Sequence, residues 1–256
     1  MNIEDLSQLA SWQEWQEKVK ASRPNFCASP IYVEQDVQTP EEFERAAEYV
    51  AQRPLGQLDL SGKTRDAAFG GRVVTTKACG PVTRMWLDSN VEMDFLRRHL
   101  HTLVWDFLDI GAGYGRLAAS MTPYCSSFTC VDAVPISTEI SREYLQKFAP
   151  PARVLSLEEF AKWEPSSKTT VAINIHSWNE CYLKNIAAWL AALKELKIPL
   201  LFTVSHGQLD ASIDPSYYCC DEFSPSFRPL LEREYRLIAE ESIGLSNHPH
   251  ALWERK

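Results

Sequence analysis

The chain has 256 residues, of which 45% are hydrophobic and 23% charged, a composition typical of a globular protein with an apolar core. Its formal net charge of −8, without a long lysine or arginine run, argues against a nucleic-acid or anionic-membrane partner. No apolar run approaches the ~20 residues that span a bilayer. Seven scattered cysteines without a Cys-x-x-Cys pair favour reduced thiols and a cytoplasmic location.

The first hundred residues carry helical patterns. Near the start, apolar residues recur at helical spacing, namely Leu6, Leu9, Trp12 and Trp15. A second helix is predicted from Thr39 and Pro40 onward, because a cap residue, a proline and two glutamates form a helix-start signature. A third is predicted in DSNVEMDFLRRHL, capped by Asp88 or Ser89. We expect residues 1–89 to form a mainly helical extension, acting as a lid over the site or as a homodimer interface.

From residue 103 short apolar runs alternate with helical patterns. The runs are LVWDFLDI, SFTCVDAV, ARVLSL, TVAINIHS and PLLFTVSH. The helical patterns between them are YGRLAASM, STEISREYLQKF, EEFAKW and KNIAAWLAALKEL. This alternation predicts a parallel sheet with helices on both faces.

The tail departs from this rhythm. SPSFRPLLERE predicts a helix with Ser224 as its cap and Pro225 in its first turn. YRLIAEES and ALWERK predict two strands, and their short connection favours an antiparallel hairpin. Residues 90–256 are therefore expected to form an α/β, Rossmann-like domain, with a seven-stranded, mostly parallel sheet that ends in an antiparallel hairpin.

A glycine-rich stretch, DIGAGYG, follows the first of these predicted strands. Dinucleotide sites require Gly-x-Gly-x-x-Gly, whose third glycine would fall on Arg116. The spacing from Asp109 to Gly115 instead resembles the first motif of class I S-adenosylmethionine-dependent methyltransferases. The resemblance implies that this loop passes under the methionine portion of the cofactor, with Asp109 near its ammonium group. The loop residues assigned to the cofactor are Gly111, Ala112, Gly113, Tyr114 and Gly115.

The next predicted strand ends in an acid, Asp132, 17 residues after Gly115. A carboxylate at that point accepts hydrogen bonds from ribose hydroxyls in nucleotide-binding sheets. The resemblance also implies an apolar adenine pocket after the second and third strands, formed by Ala133, Val134 and Leu157.

Longer segments resemble the family of sugar O-methyltransferases. They are LDIGAGYGRLA, CVDAVPISTEISREYL, AINIHSWNECYLKNIAAWL, FRPLLEREYRLI and the upstream TRMWLDSNVEMDFLRRH, within residues 80–240. The resemblance implies methyl transfer from S-adenosylmethionine to a hydroxyl of a small polar acceptor, such as a sugar or a glycosylated natural product. Arg84 and Asp88 lie in the upstream segment and are candidate acceptor contacts.

Removing a hydroxyl proton calls for a base with a pKa near neutral, which histidine supplies. His176, after the fourth predicted strand, is the first candidate base, with Asn179 and Glu180 orienting the acceptor or the histidine. His206 is the second candidate. Trp178 is a candidate for stacking on the acceptor. His248, with His250, is expected in the hairpin turn at the same edge of the sheet.

Three alternatives remain open. A nitrogen acceptor on an amino acid, peptide or other metabolite needs less base catalysis. A non-catalytic scaffold with this fold is disfavoured by the intact glycines and Asp132, and a dehydrogenase is disfavoured by Arg116. No metal is expected, because no closely spaced acids follow the fourth or fifth strand; the nearest, Asp210 and Asp214, are four residues apart.

Overall fold

A computed structural model describes residues 2–7, 16–17, 19–21, 25–28, 39–53, 62–102, 104–166, 170–205, 227–244 and 248–256. The chain divides into two compact units. The sheet unit comprises Met1–Gln13, Leu103–Glu241 and Pro249–Lys256. The amino-terminal unit comprises Glu14–Thr102 and Ser242–His248.

The amino-terminal unit contains two long helices and a small hairpin. Helix α2 (Pro40–Ala51) begins as predicted, because Thr39 and Glu42 form a reciprocal capping box. Strands β1 (Val73–Thr76) and β2 (Gly80–Thr83) pair antiparallel and lead directly into helix α3 (Arg84–Leu100). The sequence pattern did not predict this hairpin.

Helix α3 begins earlier than predicted. Its cap is Thr83, whose side chain accepts a hydrogen bond from the Trp86 amide, so the cap predicted at Asp88 or Ser89 is wrong. Ser89 lies inside the helix and is buried.

The short helix α1 (Ile3–Ser7) belongs to the sheet unit. Leu6 joins the apolar core of that unit, and the Asn185 side chain donates to the Asp5 carbonyl over 2.6 Å. Residues 16–17 and 19–21 are also helical. Leu9, Trp12 and Trp15 lie outside the described residues.

The strands of the sheet unit alternate with helices as predicted. The strands are β3 (Asp106–Ile110), β4 (Ser127–Val131), β5 (Arg153–Leu155), β6 (Thr170–Ile175), β7 (Leu200–Val204), β8 (Tyr235–Ile243) and β9 (His248–Arg255). The helices are α4 (Arg116–Met121), α5 (Pro135–Phe148), α6 (Leu157–Phe160), α7 (Leu183–Glu195) and α8 (Arg228–Glu234).

These strands form one seven-stranded sheet in the order β5-β4-β3-β6-β7-β9-β8. The first five are parallel, and β9 runs antiparallel to β7, with His250 opposite Val204. The predicted Rossmann-like fold with a terminal antiparallel hairpin is confirmed. The carboxyl ends of the parallel strands, where sheets of this kind bind their ligands, therefore meet at one edge.

Apolar side chains on one face of the sheet form the main core. Leu108, Ile110 and Val131 from the strands meet Phe160 of α6 and Trp189 of α7 in a single buried cluster. Helix α4 contacts β4, α5 contacts β5, and neither contributes to this cluster. They cover the opposite face, where the rings of Phe107 and Phe128 stack 5.9 Å apart.

Helix α8 begins at Arg228 with Phe227 at its cap position and Pro229 in its first turn. The start predicted at Ser224 and Pro225 lies outside the described residues. In the described part of the chain, no helix is both long and apolar enough to cross a membrane.

Candidate functional site

The glycine loop follows β3 and turns back over the end of β4. The Gly111 and Ala112 amides donate to the Val131 carbonyl over 2.8 and 3.3 Å. Gly111, Gly113 and Gly115 all have positive φ, at 74°, 57° and 86°. Residues that carry a Cβ rarely adopt such φ angles, so this run of turns requires glycine.

At two of these glycines, neighbouring side chains also leave no space for a Cβ. A Cβ on Gly111 would lie 2.0 Å from Ser177 Oγ, and one on Gly115 would lie 2.7 Å from Leu145 Cδ1. The bare backbone at both positions admits neighbouring side chains. Gly113 has a different role, because its amide donates to a side chain, that of Asp132.

Asp132 follows β4 and faces the glycine loop. Its Oδ2 accepts from the Gly113 amide over 2.9 Å, and its Oδ1 accepts from the Val134 amide over 2.8 Å. Desolvation raises the pKa of this carboxyl to about 6, against the opposing effect of the two amide hydrogen bonds. A carboxylate offers about four lone-pair sites, so each oxygen can accept one more hydrogen bond. Its partly exposed side chain can therefore bind a vicinal diol.

The residues predicted to line an adenine pocket lie beside Asp132. Leu157, at the start of α6, belongs to the main apolar core, and the partly buried Ala133 packs against that core. Val134 is buried at the cap position of α5. These residues give the strand ends an apolar wall next to a carboxylate, which suits a ligand that carries a flat apolar group and hydroxyls.

Two other predicted cofactor residues are buried in the fold. The Tyr114 ring packs edge-on against Tyr144 of α5, with centroids 5.0 Å apart. Asp109 is buried on β3 and pairs in register with Cys130 of β4. Burial, with a smaller contribution from the Asp109 charge, raises the pKa of the Cys130 thiol.

The end of β6 is joined to the glycine loop by a network of side-chain hydrogen bonds. Asn174 Nδ2 donates to the Ile110 carbonyl over 2.9 Å and to Ser177 Oγ over 2.6 Å. Asn174 Oδ1 accepts from the Trp178 amide over 3.2 Å. Ser177 Oγ also donates to the Ile110 carbonyl. One buried asparagine thus fixes both the end of β3 and the helical turn Ser177–Glu180.

His176 directly precedes Ser177 and lies between the ends of β6 and β7. Its amide donates to the Val204 carbonyl over 2.9 Å, and its carbonyl accepts from the Asn179 amide over 2.9 Å. Its φ of 63° is left-handed, a conformation that costs a non-glycine residue about 1–2 kcal/mol. Strain of this kind marks a residue whose position the surrounding structure dictates.

The other residues predicted after β6 differ in their surroundings. Trp178 is 1% exposed and packs in the main core, edge-on to Phe227 at 5.8 Å. Asn179 is buried next to it. The backbone of Glu180 ends the turn, and its side chain lies outside the described part of the structure, as does His206 entirely.

Arg84 and Asp88 lie on α3 in the amino-terminal unit. They form an ion pair across one helical turn, with Arg84 Nε 3.2 Å from Asp88 Oδ2. Neither side chain is needed as a helix cap, since Thr83 has that role.

His248 and His250 were expected in the hairpin turn, but both lie on strand β9. His250 is buried opposite Val204, and its ring lies 6.0 Å from that of Phe202. The expectation that His250 lies at the carboxyl edge is confirmed, because Val204 ends β7.

The described residues contain no group of three or more histidine, cysteine or acidic side chains that could hold a metal ion. Asp210 and Asp214 lie outside those residues. The five described cysteines, Cys27, Cys79, Cys125, Cys130 and Cys181, form no disulfide with one another.

Sequence reasoning missed Asn174 and Ser177, which organise this site. A signal was present in the sequence, because Asn174 and Ser177 are polar residues close to His176 at the end of an apolar strand. Their common contact with Ile110 depends on the register of β3 against β6, which the sequence pattern does not give.

Several solved structures resemble this chain. A SAM-dependent methyltransferase from Aquifex aeolicus is 16% identical, with 64% of this chain and 88% of that one covered and a TM-score of 0.48. The N-methyltransferase NodS from Bradyrhizobium japonicum WM9, with bound S-adenosyl-L-homocysteine, is 10% identical. The match covers 84% of this chain and 98% of NodS, with a TM-score of 0.49. Magnesium protoporphyrin IX methyltransferase from Synechocystis PCC 6803 is also 10% identical. That match covers 69% of this chain and 90% of the other, with a TM-score of 0.49.

No protein-family model matches the chain, and no curated protein matches it. Membership of the sugar O-methyltransferase family therefore stays a prediction. Identities this low and TM-scores below 0.5 do not identify the reaction.

Proposed function

We propose that this chain is an S-adenosylmethionine-dependent methyltransferase that methylates a hydroxyl of a small polar acceptor. The observation that carries the proposal is the Asp132 carboxylate. It is held by the Gly113 and Val134 amides at the carboxyl ends of the parallel strands, with an acceptor site remaining on each oxygen.

The site fits this cofactor. Asp132 would accept hydrogen bonds from the two ribose hydroxyls, and Ala133, Val134 and Leu157 would lie against the adenine. The glycine loop would hold the methionine portion. S-adenosylmethionine brings a methyl group already activated on a sulfonium, so the protein must align the acceptor and remove its proton.

His176 is our candidate for proton removal. Its side chain is partly exposed, although its Nδ1 is buried. The neighbouring residue, Ser177, contacts the glycine loop, so the histidine and the cofactor loop are held in one hydrogen-bonded unit. Such fixed relative placement is what an aligned transfer requires.

The acceptor class rests on the sequence resemblance to sugar O-methyltransferases. A nitrogen acceptor with a free lone pair would need His176 only for positioning. The two acceptor classes therefore differ in how strongly the rate depends on the imidazole.

Calorimetric titration with S-adenosylhomocysteine tests the cofactor. We expect micromolar binding by the wild type and at least a tenfold loss in Asp132→Ala, about the effect of losing two hydrogen bonds to a charged group. Asp106→Ala is the matched control, because Asp106 begins β3 at the opposite edge and accepts from Ser127 and Ser166. Equal affinity in all three proteins, or none in a folded wild type, would contradict the proposal.

The acceptor is tested by incubating the protein with S-adenosylmethionine and matched panels of sugars and amines. Mass spectrometry would detect the added methyl group. A product among the amines alone would replace the hydroxyl acceptor by a nitrogen acceptor and leave the cofactor assignment intact.

A further inference from the structure

Strand β8 lies at one end of the seven-stranded sheet, and β9 is its only neighbour among the described strands. It spans nine residues, Tyr235–Ile243, and is the longest strand described. Every second residue of such a strand directs its amide and carbonyl away from the neighbouring strand. These groups can pair with a strand of another chain. We call the side of β8 that faces away from β9 the β8 edge.

The side chains of β8 alternate between exposed and more buried positions. Arg236, Ile238 and Glu240 are exposed, whereas Leu237 and Ala239 between them are half-buried. Ile238 is 46% exposed, and it is one of three large apolar side chains that are exposed in the described part of the chain. A second strand laid along the β8 edge would cover part of this apolar side chain, which is favourable.

The charges of this exposed row are arranged symmetrically about Ile238. Arg236 lies two residues before it and Glu240 two residues after it. In an antiparallel pair of identical strands related by a two-fold axis, residue i meets residue j and residue j meets residue i. An axis through Ile238 therefore puts Arg236 of each copy opposite Glu240 of the other. Opposite charges directly across an antiparallel pair are stabilising, and like charges are destabilising.

Other arrangements of the two strands lose this match. An axis through Leu237 would put Arg236 opposite Ile238, and an axis through Ala239 would put Ile238 opposite Glu240. A parallel copy in register would place each charge beside its own counterpart, where like charges repel. The charges and the exposed isoleucine together therefore select one antiparallel register.

These charges also form ion pairs within their own chain. Arg236 pairs with Glu254 of β9, and Glu240 pairs with Arg228 of α8. The four side chains are 34–73% exposed, so each pair by itself contributes little to stability. Across the two-fold axis the two pairs would join into one row of alternating charges. Networks of this kind contribute more than isolated surface pairs.

We infer that the β8 edge is a homodimer interface, in which residues 235–241 of two copies pair antiparallel about Ile238 and join the two sheets into one. Seven residue pairs would form about six to eight main-chain hydrogen bonds, because two bonds join every second pair. All these residues belong to the sheet unit. The contact is small, so the dimer should be in equilibrium with the monomer. The inference does not depend on the proposed methyl transfer.

Sedimentation equilibrium of the full-length protein, with a reductant present, tests the association. We expect a dimer whose fraction rises with protein concentration. Ile238→Lys removes the apolar contact and puts two like charges on the axis, so the dimer dissociation constant should rise at least about tenfold. Val104→Lys is the matched control, because Val104 is 68% exposed in the same unit but lies outside β8. It should leave the dissociation constant unchanged.

A charge exchange separates the contact between copies from the pairs within one chain. Arg236→Glu should weaken the dimer about tenfold, because two like-charge contacts form in each dimer. Adding Glu240→Arg restores opposite charges between copies but leaves both pairs within the chain, with Glu254 and with Arg228, repulsive. The double variant should therefore recover the dimer. If it associates more weakly than Arg236→Glu, the proposed register is wrong.

Ile238→Cys locates the two-fold axis. Residues directly opposite in an antiparallel pair have Cβ atoms about 4.5–5.5 Å apart, within reach of a short thiol-reactive cross-linker. Peptide mass spectrometry should find a link between the two copies of position 238, and none between copies of Val104→Cys. Thermal unfolding checks that every variant is folded.

Three results would overturn the inference. The first is a wild-type protein that stays monomeric at every concentration. The second is a dimer that persists unchanged in Ile238→Lys, which would place the interface elsewhere, as in the amino-terminal residues. The third is a dimer in which Ile238→Cys forms no link between copies.

Discussion

Ser177 occupies the space that a side chain on Gly111 would need. A Cβ built on Gly111 would lie 2.0 Å from Ser177 Oγ and 2.3 Å from Ser177 Cβ. The serine is held there by hydrogen bonds with Asn174 and the Ile110 carbonyl. The glycine loop and the turn after β6 are therefore packed against each other as one piece.

Gly111→Ala should consequently be among the most destabilising substitutions in the sheet unit. The left-handed φ of 74° would cost about 1–2 kcal/mol. The overlap with Ser177 would add about 1–3 kcal/mol. Denaturant unfolding would measure the sum.

Gly80→Ala is a matched control, because Gly80 has the same φ of 74° and a Cβ at that position would meet no atom within 4 Å. It should show the backbone cost alone. Adding Ser177→Gly to Gly111→Ala should recover the steric part, so that the two substitutions are strongly non-additive. If Gly111→Ala cost no more than Gly80→Ala, the steric role of Ser177 would be refuted.

Much of the sheet unit could be predicted because its signals are local. Apolar runs end in Asp109 and Asp132, glycines follow β3, and capping residues begin several helices. The short length of the apolar runs and the turn residues that flank them distinguish strand from helix there. The parallel order of β3, β4 and β6 then follows from the alternation of strand and helix.

What the sequence pattern missed depends on contacts between distant residues. The turn between β1 and β2 is held by Glu44 of α2, which accepts from the Lys77 and Ala78 amides over 2.8 and 2.9 Å. Likewise, Ser177 explains Gly111 although the two are far apart in the sequence. Neither relationship leaves a periodic signal, so only the folded structure shows it.

His176→Gly separates catalysis from backbone strain. Glycine adopts φ near 63° without a steric cost. The free energy of unfolding should therefore stay equal or rise by about 1 kcal/mol. If the imidazole is the base, the methylation rate should fall about 10²–10⁴-fold. S-adenosylhomocysteine binding should change little.

Lys197→Gly is the matched control, because Lys197 has a φ of 57° in the loop before β7. It should show a similar change in stability with no change in rate. His176→Ala should match His176→Gly in rate but be less stable. A rate that survives both His176 substitutions would exclude the imidazole as the base.

Cofactor affinity should depend on pH through Asp132. The ionised carboxylate accepts hydrogen bonds from hydroxyls, and its pKa is raised to about 6. Binding of S-adenosylhomocysteine should be constant above that pH and weaken about tenfold per unit below it. Calorimetry between about pH 5 and pH 8 would measure this, and Asp132→Asn should bind weakly with a flat profile.

The same group should affect stability in the opposite direction. The folded protein holds the Asp132 proton up to a pH of about 6, because its pKa is raised from the ordinary aspartate value of 3.8 that applies in the unfolded chain. Its contribution to the free energy of unfolding is therefore present in full below pH 3.8 and is lost as the pH rises through about 6. Between those values wild type should lose stability relative to Asp132→Asn, and a parallel pH dependence would contradict the assignment.

Asn174 should matter to both stability and cofactor binding, because its side chain joins the end of β3 to the turn that carries His176. Asn174→Ala removes two donated hydrogen bonds and leaves the Trp178 amide without its acceptor, at a cost of about 1–3 kcal/mol for each buried group. Asn185→Ala is the control, because that equally buried asparagine donates to the Asp5 carbonyl, away from the glycine loop. Both variants should unfold at lower denaturant concentration, but only Asn174→Ala should bind S-adenosylhomocysteine more weakly. An equal affinity in the two variants would mean that Asn174 stabilises the fold without positioning the loop.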